Sequence, residues 1–495
     1  MSSRYAGIHT NLSVPAWLSP TRWSHSFQEV LNRLGLSRDL LLGLSIGITF
    51  SLTSTGLALW ARDRWKRMLR QRQTWRPIEI RSSEIVDGVT GLIGNTPLVR
   101  IKSLSELTGV DILGKAEFLN PAGSPKDRVA LELIQSAEDA GLLHPNTDSC
   151  IYEGTVGSTG ISIATVARAK GYQACIIMPD DVAKEKSLLL EKLGAQVQKV
   201  RPVSIVDKQH YVNLARSRAL HHGLTQLIGP DPAIDPTPAM GYRKAQPRSD
   251  EVVTTDADHD AVFHENTPKG HEDDLEKLPR GFFADQFENL ANYEAHLKTT
   301  GPEIWRQTNG EIDAFVAGAG TGGTLAGVGR YLKGYDDSIK LVLADPQGSG
   351  LFNKVKQGVM YASTEAEGKR RRHQVDSIVE GIGINRITRN FDQVVSFIDD
   401  AISVTDAEAV AMSRHLAYND GLFLGSSSAV NLVAAVKYAK TLKGALLKTV
   451  SEGRERSVIV TILCDSGARH LSRFWNDEYL TSMGIPITAS LEGII

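Results

Sequence analysis

Cysteine is scarce: Cys150, Cys175 and Cys464 are the only three in 495 residues. They lie far apart and form neither a CxxC pair nor a Cys/His cluster. That excludes a disulfide scaffold and a zinc site, and it suits a reducing compartment for the soluble part. Net charge is nearly absent too. Fifty-five Lys+Arg stand against 57 Asp+Glu, a formal −2, so no global field draws the chain to nucleic acid, and no nucleic-acid partner and no metal is expected. Proline is thin, 19 against 44 glycines, which argues for tight turns in a globular protein rather than proline-rich disorder. What is present is a 41% hydrophobic fraction, enough for a large core, and a length that suits two or three structural units.

Charge is also missing locally. Between Asp39 and Arg62 no charged residue occurs, and a run of about 22 residues is long enough to cross a bilayer as a helix. Ser45, Thr49, Ser51, Thr53, Ser54 and Thr55 weaken the run. Its C-terminal flank carries Arg62, Arg64, Lys66, Arg67, Arg70 and Arg72 against Asp63, with Trp60 and Trp65 nearby, which would hold that end on the cytosolic side. The preceding leader has Arg4, Arg22, Arg33 and Arg38 with Glu29 as its one acid before residue 39, as a transit peptide would. The expected organisation is a basic leader over 1–39, a transmembrane helix over 40–61, a basic juxtamembrane linker over 62–88 and a catalytic region over 89–490. A mitochondrial membrane suits the leader and anchor together, most readily the outer one with the catalytic region facing the cytosol. The endoplasmic reticulum membrane is the alternative.

From Gly88 onward, short aliphatic runs alternate with longer helical patterns: CIIMP, DAFVAG, LVLAD and SVIVTILCD. That alternation predicts an α/β protein with parallel sheets covered by helices. One stretch interrupts it. Residues 230–280 are crowded with Pro, Asp, Glu, His and Lys and show no apolar period, which reads as a disordered surface insertion. The basic loop KRRRH at 369–373 reads as a solvated loop.

After DAFVAG, Gly318, Gly320 and Gly323 fit G-x-G-x-x-G, a helical pattern follows, and Asp345 ends the next strand. Those are the pieces of a dinucleotide fingerprint. The physics is less specific: glycines let backbone N–H groups approach a phosphate, and a helix N-terminus favours its charge, whichever cofactor carries it. No lysine follows where a nucleotide-triphosphate loop needs one, which argues against a Walker-type NTPase. Upstream, Lys126 follows Pro125 in a turn and precedes an amphipathic helical pattern. An ammonium at the positive end of a helix is destabilised, which lowers its pKa and suits Schiff-base chemistry.

Ten blocks in order decide between the cofactors: IGNTPLVR, NPAGSPKDR, EGTVGSTGI, KEK followed by LLLEKLGAQV, DQFENLANYEAH, KTTGPEIW, GAGTGGTLAG, EGIG, GLFLGSSSA and CDSGARHLS. Together they resemble the pyridoxal-phosphate β-family of fold type II, in its cysteine synthase and cystathionine β-synthase branch, and specifically its membrane-anchored, fungal mitochondrial kind. The resemblance runs from Ile93 to Phe474 apart from the insertion. It implies two α/β domains with pyridoxal 5'-phosphate in the cleft, the smaller domain roughly 127–229. It also implies that Lys126 forms the internal aldimine and that Gly320, Thr321, Gly322, Gly323 and Thr324 bind the phosphate. Ser466 would face the pyridine nitrogen, a neutral partner that favours β-elimination and replacement. Thr155, Val156, Gly157, Ser158 and Thr159 resemble the substrate-carboxylate loop, Gln286 its amide partner, and Gly381 the substrate side of the ring.

Two departures stand out. The family usually has Ser-Gly-Asn where this chain has Val156-Gly157-Ser158, and that Asn bonds the cofactor's 3′-oxygen, a role left to Ser158 here. Ala122 replaces a glycine, and Pro125 precedes the lysine, presetting the turn. The activity implied is that of a transferase for cysteine biosynthesis: displacement of acetate from O-acetylserine by sulfide, giving cysteine, in a homodimer. Cystathionine β-synthase and serine or threonine dehydratase activities share the constellation, and a catalytically silent, membrane-tethered sensor or scaffold is the reading from another class.

Overall fold

The computed structural model describes residues 85–222, 278–361, 377–442 and 456–494, together with Gly43, Gly47, Ser51, Ser54 and Leu57. The leader, nearly all of the insertion and the KRRRH loop lie outside the described residues, as does most of the linker. Of the expected anchor, the five described positions are helical and exposed. Among the described residues no helix is long and apolar enough to cross a membrane. The chain divides into two units, Met1–Pro77 and Ile78–Ile495, and the sheets belong to the second.

Among the described residues, ten strands form two sheets. In chain order they are β1 (Leu98–Arg100), β2 (Asp111–Ala116), β3 (Cys150–Gly154), β4 (Gln173–Pro179), β5 (Gln196–Val200), β6 (Gly281–Phe283), β7 (Ala314–Gly318), β8 (Lys340–Pro346), β9 (Asp400–Val404) and β10 (Val458–Leu463). One sheet has the order β1-β2-β10-β7-β8-β9, parallel throughout except for β1 on the edge; the other has the order β5-β4-β3-β6 and is fully parallel. Apolar runs such as VIVTIL and AFVA are what a strand covered on both faces requires. Along β7 the side chains alternate accordingly. Ala314 and Val316 join one core with Ile112, Val342 and Val404, while Phe315 and Ala317 join the other with Leu325, Leu341 and Val460. The smaller sheet repeats this, with Ile151 to one side of β3 and Cys150 and Tyr152 to the other.

The helices that cover the sheets include α1 (Lys126–Asp139), α2 (Ser158–Lys170), α3 (Lys184–Lys192), α4 (Tyr211–His221), α5 (Gly301–Gln307), α6 (Gly323–Tyr335), α7 (Asp406–Asn419) and α8 (Ser426–Leu442). A complete capping box, Thr405 with Glu408, starts α7 and satisfies two otherwise orphaned backbone donors. The loops that follow β3, β7 and β10 hold Thr155–Gly157, Ala319–Gly322 and Cys464–Ser466. All three leave the carboxyl ends of parallel strands, where open α/β sheets place ligands.

Candidate active site

Lys126 begins α1, with Pro125 as the cap. The turn before it is braced on every side. Asn120 Oδ1 accepts from Gly94 N at 2.8 Å and its Nδ2 donates to Ser124 O at 3.1 Å. Asp127 accepts from Ala122 N and from Ser162 Oγ, both at 2.6 Å, Ser124 Oγ accepts from Lys126 N at 3.2 Å, and the Arg469 guanidinium donates to Ala122 O. Beneath the turn Arg128 is buried between two carboxylates, Glu117 (Nε to Oε2, 2.8 Å) and Glu303 (Nη1 to Oε1, 2.7 Å), and Lys115 meets Glu303 at 2.6 Å. The helix carrying Lys126 is thereby fastened to β2 and α5. The Lys126 amine has no hydrogen-bond partner among the described residues. Burial pushes its pKa down, opposed by the neighbouring Cys464. The helix end predicts a lowered pKa from the sequence; in the folded chain, removal from water lowers it.

The loop Thr155–Thr159, expected from the sequence to meet a substrate carboxylate, turns at Gly157, whose φ is +140°, a conformation that other residues rarely adopt. Ser158 and Thr159 open α2, whose cap supplies no side-chain acceptor, so the first amides of that helix are left for a ligand. Thr159 Oγ1 donates to Gln286 Oε1 at 2.5 Å, which orients the amide.

The glycine loop fits a phosphate. Gly322, at φ +86°, caps α6 without a side-chain bond, leaving the N-terminal amides of a 13-residue helix unpaired by side chains. The space behind it is filled: a Cβ on Gly320 would lie 2.3 Å from Gly381 O, one on Gly322 2.5 Å from Phe391 Cβ, and one on Gly323 2.1 Å from Asn292 Oδ1. Thr321 is fixed by Asn292 Nδ2 at 2.9 Å and by Thr388 Oγ1, which donates to its carbonyl at 2.7 Å. Asp345, the acid of the apparent dinucleotide fingerprint, is buried in β8, where Oδ2 accepts from Phe352 N at 2.7 Å. Burial lifts its pKa to about 7. It braces the start of the helix Leu351–Gln357 rather than standing ready for a ribose.

A cavity of about 1210 Å³ collects these groups. Lys126, Thr155, Val156, Ser158, Thr159, Gln286, Gly320, Thr321, Gly322, Thr324 and Gly381 line it. Gly157 and Gly323 stand behind the wall, packed against Lys186 and Asn292. Ser466 is not part of the lining. Its hydroxyl accepts from Ala468 N at 3.2 Å as the cap of a short 3₁₀ turn. The wall after β10 is instead made by Cys464 and Asp465, with Ser427 from α8. Burial raises the Cys464 thiol to about 11, so it is protonated at neutral pH. Sequence reasoning also misses His296, which is buried beside Thr324, and the pair Lys186 and Glu380. The DQFENLANYEAH, KEK and EGIG blocks contain these residues, but only the folded contacts give them a role.

Residues 89–465 match the family described as "Pyridoxal-phosphate dependent enzyme". The chain is 48% identical over 448 residues to cysteine synthase 2 of Schizosaccharomyces pombe, covering 90% of this chain and 95% of the relative. It is 46% identical over 434 residues, 86% and 91% of the two chains, to a Saccharomyces cerevisiae protein provisionally named a mitochondrial cysteine synthase. Among solved structures, a hydrogen sulfide-producing enzyme from Fusobacterium nucleatum superposes with a TM-score of 0.53 at 25% identity, covering 79% of this chain and 99% of that one.

Proposed function

Because the chain belongs to the family of pyridoxal-phosphate-dependent enzymes, of α/β fold type II, we propose that it is a cysteine synthase, a transferase that replaces the acetate of O-acetyl-L-serine by sulfide. The observation that carries the reading is the amine of Lys126, unpartnered among the described residues and lowered in pKa, in one cavity with a glycine loop built for phosphate and a helix start built for carboxylate. The relative from Schizosaccharomyces pombe supports the same activity by its name.

Bound through Lys126, pyridoxal phosphate supplies an electron sink for charge developing on the donor's α-carbon. The chain's own residues do the rest. Amides at the start of α6, with Thr321 and Thr324, hold the phosphate. Thr155 in the loop after β3, Ser158 and Thr159 at the start of α2, and Gln286 hold the donor's carboxylate and so fix which α-bond faces the lysine. Lys126 Nζ, destabilised as an ammonium, takes the α-proton as acetate leaves the β-carbon. Hydrosulfide then forms the new C–S bond, and the lysine returns a proton to the α-carbon. The wall after β10 presents a neutral thiol at Cys464, and Ser158 in place of an amide leaves the 3′-oxygen side with a shorter hydroxyl donor.

The test is direct. Purified protein starting near Arg76 should show a visible absorbance band that depends on Lys126, that shifts on adding O-acetylserine, and that precedes cysteine release when sulfide is added. Absence of the band, or pyruvate as sole product with sulfide present, would sink the reading; homocysteine in place of sulfide separates cystathionine formation. The reading includes a homodimer, measurable by light scattering. It also includes a membrane helix over 40–61 in a mitochondrial membrane, supported by the uncharged run, its basic flank and the name of the Saccharomyces cerevisiae relative. Alkaline extraction of isolated mitochondria should leave the full chain in the pellet; release into the supernatant would count against an anchor.

A further inference from the structure

Lys186 is the third residue of α3, in the layer of the four-stranded sheet, yet its ammonium pairs with Glu380 in the loop that leads into Gly381. Both side chains line the cavity and both are nearly sealed from water, 3% and 10% exposed. On the way there the lysine's aliphatic stem covers Gly157, so that a Cβ at that position would sit 2.5 Å from Lys186 Cδ. Glu380 is held from its own side as well: Arg473 Nη1 reaches Oε1 at 3.3 Å while also donating to Asp181 O, next to α3, at 2.6 Å. Burial alone would raise the Glu380 carboxyl; Lys186 and His470 outweigh it and keep it ionised.

We propose that Lys186 is a positioning residue: its pairing with Glu380 presses the stem against Gly157 and sets the carboxylate loop at the distance from the glycine loop that the amino-acid donor needs. Gly157 is held from within by its own amide, which donates to Thr155 Oγ1 at 3.3 Å, and by its carbonyl, which accepts from Ile161 N at 2.9 Å; the face where a side chain would stand is covered by Lys186. Gly381 O in turn abuts Gly320, where a Cβ would be 2.3 Å away. One ion pair therefore spans the space between the carboxylate loop and the phosphate loop. A pair sealed this far from water is little weakened by salt, unlike a surface bridge.

The inference rests on the reading of this cavity as a site for a β-substituted amino acid, and the experiment keeps the two apart. Cysteine formation by the unaltered holoenzyme with sulfide tests that reading alone. For the ion pair, the dissociation constant of O-acetylserine is taken from the shift of the holoenzyme's absorbance band, and pyruvate release without sulfide reports water entering the site. Lys186→Met and Glu380→Gln should each weaken donor binding about tenfold to a hundredfold, the scale on which a small misplacement acts, and raise the pyruvate fraction with bound cofactor unchanged. The double variant should be no worse than either single one, since the two act as a unit, and Lys186→Arg should restore most of the affinity. Unchanged donor affinity in either single variant, or additive losses in the double one, overturns the proposal. If Lys186→Met does not fold, Glu380→Gln and Lys186→Arg still separate the two outcomes.

Discussion

Thr324 Oγ1 lies 3.0 Å from His296 Nε2, and the other ring nitrogen of that histidine lies 2.9 Å from Thr300 Oγ1. The hydroxyl of Thr324, in the loop proposed to hold the phosphate, is thus aimed by a ring that is buried and neutral. Burial, aided by the nearby Lys126, lowers the His296 pKa to about 3. The influence is reciprocal: the Lys126 ammonium disfavours a second cation on the ring, which adds to burial in keeping His296 neutral.

The same depression makes stability depend on pH. The unfolded chain takes up a proton at this histidine below about 6.5, while the folded chain does not until about pH 3, so the unfolded state binds more protons between those limits and stability falls as pH falls through them. The contribution is about 2 kcal/mol between pH 6.5 and 5. His296→Gln, which keeps a donor and an acceptor but cannot titrate, should flatten the acid side of the profile by that amount. Denaturant melts of both proteins across this range check it, and parallel profiles would contradict the assignment. The raised carboxyls Asp127 and Asp345 act with the opposite sign, but they are common to both proteins and cancel in the difference.

Lys126→Ala should leave the fold intact, since the amine bonds nothing among the described residues, and should abolish both the covalently held cofactor and turnover. Absorbance after gel filtration and intact mass after borohydride treatment report the first; a cysteine assay reports the second. Retained borohydride-fixed cofactor would point to another lysine.

Gly323→Ala introduces a Cβ 2.1 Å from Asn292 Oδ1. Asn292 also holds Thr321 Oγ1 and Gln286 O, so its displacement loosens the phosphate loop and the amide partner together. Overpacking of this kind costs about 1–3 kcal/mol, and cofactor affinity should fall with it. Fluorescence titration of the cofactor-free variant measures the loss.

Arg128→Met removes the cation between Glu117 and Glu303 and leaves two buried carboxylates to share Lys115. Breaking such a network typically costs about 3–5 kcal/mol. Thermal melts should show a large drop, whereas Lys115→Met, which leaves Arg128 bidentate on both acids, should cost less.

The parallel sheets are legible in the sequence because their strands are uninterrupted apolar runs, and the glycine loop, Lys126, Thr155–Thr159 and Gln286 because each sits in a contiguous block. Relations between blocks are not. Lys186 and Glu380 are 194 residues apart, and nothing in KEK or EGIG announces that they meet. Ser466 lies in a recognisable block; in the fold its hydroxyl accepts from Ala468 N, which leaves its own proton to donate, and the neighbouring Cys464 and Asp465 line the cavity. His296 stays hidden because a lone histidine on a helical face reads as core, which it also is.

Strand β10 comes last in the chain and lies between β2 and β7. Until residues 458–463 emerge during synthesis, those two strands have no neighbour between them, and the turn before Lys126 lacks the clamp that Arg469 puts on Ala122. The turn that carries Lys126 is therefore closed only late in synthesis. A product cut short before Val458 would be left with two bare edges in the middle of its larger sheet, a target for degradation rather than a weakened enzyme.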